Sequence, residues 1–390
     1  MAIATAPEPA VPAPLDVMGN RLTLLAEGPE RLRTLLDMID GAQSSLRILF
    51  YIFKEDGAGR EVRDALLRAC DRGVKVWILV DGFGSNAPTS FFQPLIDSKC
   101  GFCRFEPRFG RRYLLRNHQK LALADEDKVL TGGFNVEDDY FGTVENGAWR
   151  DLGITVEGPA VRCLVSYFDA LFAWTTTKNA RIRDLRRMLN KHSEEEGELR
   201  WLFGGPTRRL SPWAKSVKRD MLRASRLDMI AAYFSPSRSM LRRIYGIAGR
   251  GTARVVTAAK SDNNTTIGAA RHTYWRLLKR GVEVYEYQPT KLHTKLIVID
   301  DVVHLGSANF DMRSLYLNLE MMLRIEDADF AAAMRAFVEG EIAQSRRITS
   351  EEHLRERTWF NRLKWGIAHF IVTTMDYNVS RRLNFGLDGQ

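Results

Sequence analysis

One pattern of histidine, lysine and aspartate occurs twice in this chain, and the repetition limits the available folds more than any other feature. "NHQKLALAD" (117–125) holds His118, Lys120 and Asp125 at the spacing of His293, Lys295 and Asp300 in "LHTKLIVIDD" (292–301). A single match is weak, because any buried strand can carry a polar residue or two. Two matches a domain's length apart, with agreeing flanks, point to a duplicated unit.

The flanks agree in order. In the first half the apolar run "LRILFYIF" (46–53) precedes "GREVRDALLRACDRG" (59–73), where Val62, Leu66 and Ala69 recur at helical spacing and Gly73 supplies the stop. "VKVWILVDG" (74–82) and "GFCRFEP" (101–107) then lead to the motif. In the second half "LDMIAAYF" (227–234), "ARVVTAA" (253–259), a helix over 269–280 and "GVEVYEYQP" (281–289) do the same. Strands alternating with helices predict an α/β architecture of two fused repeats, each a mixed β-sheet flanked by helices. The charge-rich stretch 178–200 reads as a connecting helix and loop, so the repeats are expected to span 20–195 and 196–350. The Ala/Pro-rich start suggests a disordered arm over 1–19, and 351–390 form a C-terminal tail.

The spacing itself suits chemistry. Side chains alternate across a strand, so a histidine and a lysine two apart share a face. The lysine can hold an oxygen of whatever the histidine attacks or protonates. Asp125 and Asp300, each beside further acidic residues, mark the turn that follows. Each motif then runs into a strand ending in small residues, "VLTGGFN" (129–135) and "VVHLGSAN" (302–309). There Gly132, Gly133, Gly306 and Ser307 permit close backbone approach, and Gly133, Ser307, Asn135 and Asn309 are expected to bind the substrate, the two asparagines offering amide donors.

These residues resemble the phospholipase D superfamily, whose signature is H-x-K-x4-D twice, the two copies forming one shared active site at the repeat interface. Within it the chain is most similar to bacterial cardiolipin synthases of the shorter type that lacks N-terminal membrane-spanning helices. The likeness is carried by "YIF" (51–53), "GVKVWILVDGFGS" (73–85), "TGGFN" (131–135), "WRDLGITVEGPAV" (149–161) and "GSANFDMRSLYLNLE" (306–320), besides the motifs. It implies that His118 attacks phosphorus, forming a phosphohistidine, while His293 protonates the departing alcohol and later deprotonates the incoming one. Lys120, Lys295, Asn135 and Asn309 would neutralise the phosphoryl oxygens, so no metal or other cofactor is needed. A nucleophilic histidine needs an acceptor for its other ring nitrogen. The resemblance assigns that role to Glu320 of "NLE" in the second half and to Asp151 of "WRD" in the first. Asp125 and Asp300 belong to the catalytic signature but suit turns better than proton transfer.

A net charge of +9 favours anionic partners. Anionic phospholipids and a membrane surface are the expected ones, met peripherally from the cytoplasmic side. "TWFNRLKWGIAHFIVTTM" (358–375) is aromatic and apolar, with Arg362, His369 and Thr373 in a narrow polar sector. It suits a helix lying in a membrane interface or one packed on the core. The basic run "PRFGRRYLLRNH" (107–118) could attract lipid headgroups or be a solvated loop. Cys70, Cys100, Cys103 and Cys163 are too few for a disulfide framework, and the lone C-x-x-C lacks partners for a zinc site. The expected function is transfer of a phosphatidyl group to phosphatidylglycerol. A hydrolytic phospholipase D is the alternative, with a nuclease or an inactive membrane scaffold less favoured. Nucleic acid is not an expected partner.

Overall fold

The computed structural model describes residues 12–106, 115–207 and 210–375. In chain order the first sheet is built from β1 (Leu15–Val17), β2 (Asn20–Leu25), β3 (Ser45–Phe50), β4 (Lys75–Asp81), β5 (Gly101–Phe105), β6 (Leu121–Ala124), β7 (Lys128–Gly132) and β8 (Gly153–Glu157). The second half supplies β9 (Leu199–Gly204), β10 (Arg226–Ala231), β11 (Phe234–Ser235), β12 (Thr252–Ala258), β13 (Glu283–Tyr287), β14 (Lys295–Ile299), β15 (Val302–Gly306), β16 (Phe310–Asp311), β17 (Glu320–Glu326) and β18 (Ser345–Ile348).

The sheet orders carry the duplication. The first runs β1-β2-β8-β7-β6-β3-β4-β5 and the second β18-β13-β12-β10-β14-β15-β17-β9. Seven strands correspond one to one, and each sheet adds one strand at an opposite edge. β3, β4 and β5 are parallel, as are β10, β12 and β13. The motif strands β6 and β14 run antiparallel to β3 and β10. Each sheet is therefore mixed.

Both motif strands are buried on both faces. Leu121 and Leu123 of β6 enter a core shared with Leu296 and Val298 of β14. Ala122 and Ala124 face a core of the first half alone, and Ile297 and Ile299 face one of the second. Period-two alternation thus splits each strand between a common centre and a private outer layer. The common core also takes Phe168 and Leu171 from the helix Arg162–Thr176, and Phe330 and Phe337 from the helix Ala328–Ala343.

Some expectations need correction. Leu15–Val17, assigned to a disordered arm, pair with Asn20–Leu22 as a hairpin edge; residues 1–11 lie outside the described residues. The helix expected over 269–280 starts earlier, spanning Asn264–Lys279, because the Asn263 side chain caps Thr265 N–H. Cys100 lies close to Cys70 (Sγ to Sγ 2.7 Å), a neighbour that the C-x-x-C spacing did not suggest. The basic run falls largely within 107–114, outside the described residues. Among the described residues no helix is long and apolar enough to cross a membrane.

Candidate active site

The histidines stand just before their strands, where β6 and β14 meet the C-terminal ends of β3 and β10. Ala231 at the end of β10 pairs with Lys295 at the start of β14. At this edge the two halves join through backbone. His118 N–H donates to Leu319 O (2.9 Å) and Leu319 N–H to Arg116 O (2.9 Å). By pseudo-symmetry His293 N–H donates to Arg150 O (2.7 Å) and Arg150 N–H to Lys291 O (2.8 Å). Each motif is thus hydrogen-bonded to the residue preceding the other half's carboxylate.

That junction exchanges the orienting groups. His118 Nδ1 donates to Glu320 Oε2 at 3.0 Å, and His293 Nδ1 donates to Asp151 Oδ2 at 2.7 Å. Neither histidine finds its carboxylate in its own half. With Nδ1 committed, the lone pair of each imidazole sits on Nε2. Glu320 is fully buried and also accepts from Ser307 Oγ (2.6 Å) and Ser314 Oγ (2.8 Å). Asp151, equally buried, accepts from Leu152 N–H (2.8 Å), while its backbone carbonyl accepts from buried Arg31 (2.7 Å).

Electrostatics hold the imidazoles neutral in the free protein. Burial, then the Lys295 charge, pushes His293 down to about 3, against the opposing pull of Asp151. Burial likewise lowers His118, with Glu320 opposing and Lys120 and Lys295 assisting. Each lysine therefore acts on both histidines, so the motifs converge on one site. Lys120 is lowered to about 7 and Lys295 to about 8, burial being the largest cause in both. Burial alone would raise Glu320 and Asp151; the His118 and His293 rings and the lysines hold both below their ordinary values.

Around this centre the expected residues take several different positions. Asn135 is buried and accepts from Ile52 N–H (3.2 Å), whereas the buried amide oxygen of Asn309 has no partner. Ser307, expected to meet substrate, is instead a donor to Glu320. Gly133 also serves a carboxylate, since a Cβ there would lie 2.4 Å from Asp151 Oδ1. Gly132 and Gly306 adopt φ of 158° and 153°, and a Cβ at either would strike backbone of the adjacent strand. The small residues of the two strand ends therefore make room for the orienting carboxylates and neighbouring strands.

The motif aspartates, expected in the catalytic signature, are displaced from the chemistry. Asp125 and Asp300 lie at the opposite ends of β6 and β14 from the histidines, with φ of 49° and 45°. Asp125 accepts from the N–H groups of Gln43, Ser44 and Ser45, and Asp300 from those of Ser225 and Arg226. They pin the start of β3 to β6 and of β10 to β14. Their role is to fix register.

Other residues emerge only in three dimensions. Tyr140 and Trp149 pack edge-on against the His293 ring at 5.1 and 5.3 Å, with Tyr233 at 6.5 Å. Tyr51 lies 5.0 Å from His118. Asp81 is buried and accepts from Asn117 N–H (2.7 Å), tying the turn after β4 to the first motif. Arg150 joins Glu27 and the buried Glu341 beside the second junction. "YIF", "WRD" and "GVKVWILVDGFGS" hinted at Tyr51, Trp149 and Asp81; nothing in the sequence marked Arg31 or Tyr140.

Comparison with known proteins agrees with this geometry. A family described as "Cardiolipin synthase, PLD-like domain" matches residues 35–172 and 219–340. Cardiolipin synthase A of Pseudomonas entomophila (strain L48) is 30% identical over 343 residues, covering 85% of this chain and 71% of that protein. Cardiolipin synthase B of Salmonella typhimurium is 31% identical over 364 residues, covering 90% of this chain and 88% of the relative. The crystal structure of phosphatidylserine synthase from Haemophilus influenzae Rd KW20 superposes with a TM-score of 0.71 at 14% identity, over 92% of this chain and 94% of that one, a likeness of fold. Both repeats are matched and the relatives align along most of the chain, so the protein belongs to the cardiolipin synthase family of the phospholipase D superfamily.

Proposed function

We propose that this protein is a phosphatidyltransferase that moves a phosphatidyl group onto a free glycerol hydroxyl of phosphatidylglycerol, giving cardiolipin through a phosphohistidine. The observation that carries the reading is the pair of buried imidazoles, each with Nδ1 bound to a carboxylate of the other half. In the first step His118 Nε2 attacks phosphorus, a P–N bond forms, and the P–O bond to the leaving alcohol breaks. His293 gives that oxygen its proton. The free protein keeps His293 neutral, so its proton must be gained as the anionic phosphodiester docks and offsets the lysine charges that depress it. In the second step neutral His293 takes the proton of the acceptor hydroxyl, the new P–O bond forms and the P–N bond breaks.

Lys120 and Lys295 supply cationic charge to the phosphoryl oxygens, and the side-chain N–H₂ groups of Asn135 and Asn309 add hydrogen bonds to them. The two lysines are preorganised by burial, so little reorganisation is required at the moment of reaction. The work is done at a membrane surface, from which both lipids are drawn.

Incubation of the pure protein with phosphatidylglycerol, alone and mixed with phosphatidylethanolamine, tests the proposal by mass spectrometry of the lipid products. Cardiolipin with release of a small alcohol is the expected result. Phosphatidic acid alone would mean that water is the acceptor and the protein is a hydrolase.

A further inference from the structure

The C-terminal helix Trp359–Phe370 is attached to the body by its less apolar side. Trp365 and Ala368 are buried, and His369 stacks on His272 of the helix Asn264–Lys279 at 4.6 Å. The approach is close: a Cβ on Gly268 would meet Ala368 at 3.0 Å. The opposite side is left in solvent. Trp359 (77% exposed), Phe360, Leu363, Ile367, Phe370 and Ile371 make up most of the large exposed apolar side chains among the described residues. Positions 359, 363, 367 and 370 recur at helical spacing, so they form one continuous face. Arg362 and Lys364 border it on either side by the same periodicity.

The helix also points at the site. Arg357 stacks over Trp275 near the end of the partner helix, whereas His369 meets His272 at its middle and Ala368 meets Gly268 nearer its start. The two helices are therefore antiparallel, and Phe370–Ile371 lie beside the start of Asn264–Lys279. That start follows β12 directly, at the sheet edge where the motifs stand. Tyr233 links the regions, donating to Asp262 (2.7 Å) and packing near the His293 ring.

We propose that this face is the surface by which the protein seats on an anionic lipid bilayer, holding the catalytic edge against the headgroups. The proposal rests on the lipid-transfer reading above. The apolar stripe reaches into the acyl boundary while the bordering cations meet anionic headgroups. A second copy is a poorer occupant, since self-association would bring the like-charged borders together.

Co-sedimentation with vesicles tests it, using phosphatidylcholine alone and an equimolar mixture with phosphatidylglycerol. Wild type should bind the mixture far better. Leu363→Glu and Ile367→Glu alter half-exposed side chains, so the fold should survive. Each should weaken binding about 10-fold or more, while turnover of a micelle-free short-chain phosphatidylglycerol, which needs no surface, reports that the site is intact. His118→Ala should bind vesicles like wild type, which separates docking from chemistry. Unchanged vesicle binding by both glutamate variants overturns the proposal. Should they instead turn a wild-type dimer into monomers without affecting vesicle binding, the face joins copies of the chain and the proposal also fails.

Discussion

Exchange of the orienting carboxylates makes a prediction that no within-repeat reading would make: Glu320→Gln should reproduce the defect of His118→Ala, not that of His293→Ala. The carboxylate is fully buried and accepts from His118 Nδ1, Ser307 Oγ and Ser314 Oγ. Glutamine keeps the volume but replaces one acceptor oxygen with a donor. If the amide N–H₂ faces His118, the ring must accept at Nδ1 and carry its proton on Nε2, where the lone pair is needed. In a comparable histidine–carboxylate pair, holding the imidazole in the wrong tautomer lowers the rate about 10⁴-fold. At tenfold per 1.36 kcal/mol this is about 5 kcal/mol lost from the step that His118 performs. A p-nitrophenyl phosphodiester separates the steps, because nitrophenolate leaves without a proton. With His118 as nucleophile, His293→Ala and Asp151→Asn should each release one equivalent of nitrophenol in a burst and retain acid-labile phosphate on the protein. His118→Ala and Glu320→Gln should give neither. A Glu320→Gln protein that shows the burst while His118→Ala does not would refute the crossed pairing. A burst in His118→Ala and Glu320→Gln alone would reverse the roles of the histidines and leave the crossing intact.

Five further outcomes follow from the same geometry. Gly133→Ala should push Asp151 off His293 and behave like Asp151→Asn in the burst assay, because the added Cβ falls 2.4 Å from the carboxylate. Lys120 and Lys295, lowered to about 7 and 8, lose charge within the working range, so kcat/KM should fall as pH rises through about 7–8. The unfolded chain keeps those protons to about 10.4, so over that window it binds more protons than the folded one. The lysines' contribution to stability therefore rises with pH, and a urea-midpoint series should lose that slope in a Lys120→Met/Lys295→Met double variant. Asp125→Ala should lower stability by about 1–3 kcal/mol in urea unfolding while largely sparing kcat/KM, since it frees three backbone N–H groups at the strand end remote from His118. EDTA should leave turnover unchanged, because the lysines supply the positive charge for the phosphoryl oxygens.

The sequence alone determined what is local or repeated. The two copies of His-x-Lys, the buried strands that follow and the turn aspartates are set by period-two alternation and turn chemistry, both readable from neighbouring residues. The duplication was legible because each half repeats the same order of apolar runs and stops. Tertiary structure decided what depends on residues far apart in the chain. Glu320 serves a histidine about two hundred positions away, and Asp151 one about one hundred and forty away, so their exchange between halves had no local trace. The same is true of Ser307 and Gly133, whose small size looked like room for substrate and proved to be room for a carboxylate. Buried Arg31, which holds the backbone of Asp151 and Tyr140, looks in sequence like any helical arginine. The C-terminal helix shows the limit most plainly. Its periodicity marked an apolar face, but periodicity carries no information about which face a neighbouring helix will cover. Here the body took the side of His369 and Trp365, and the more apolar side was left to the solvent.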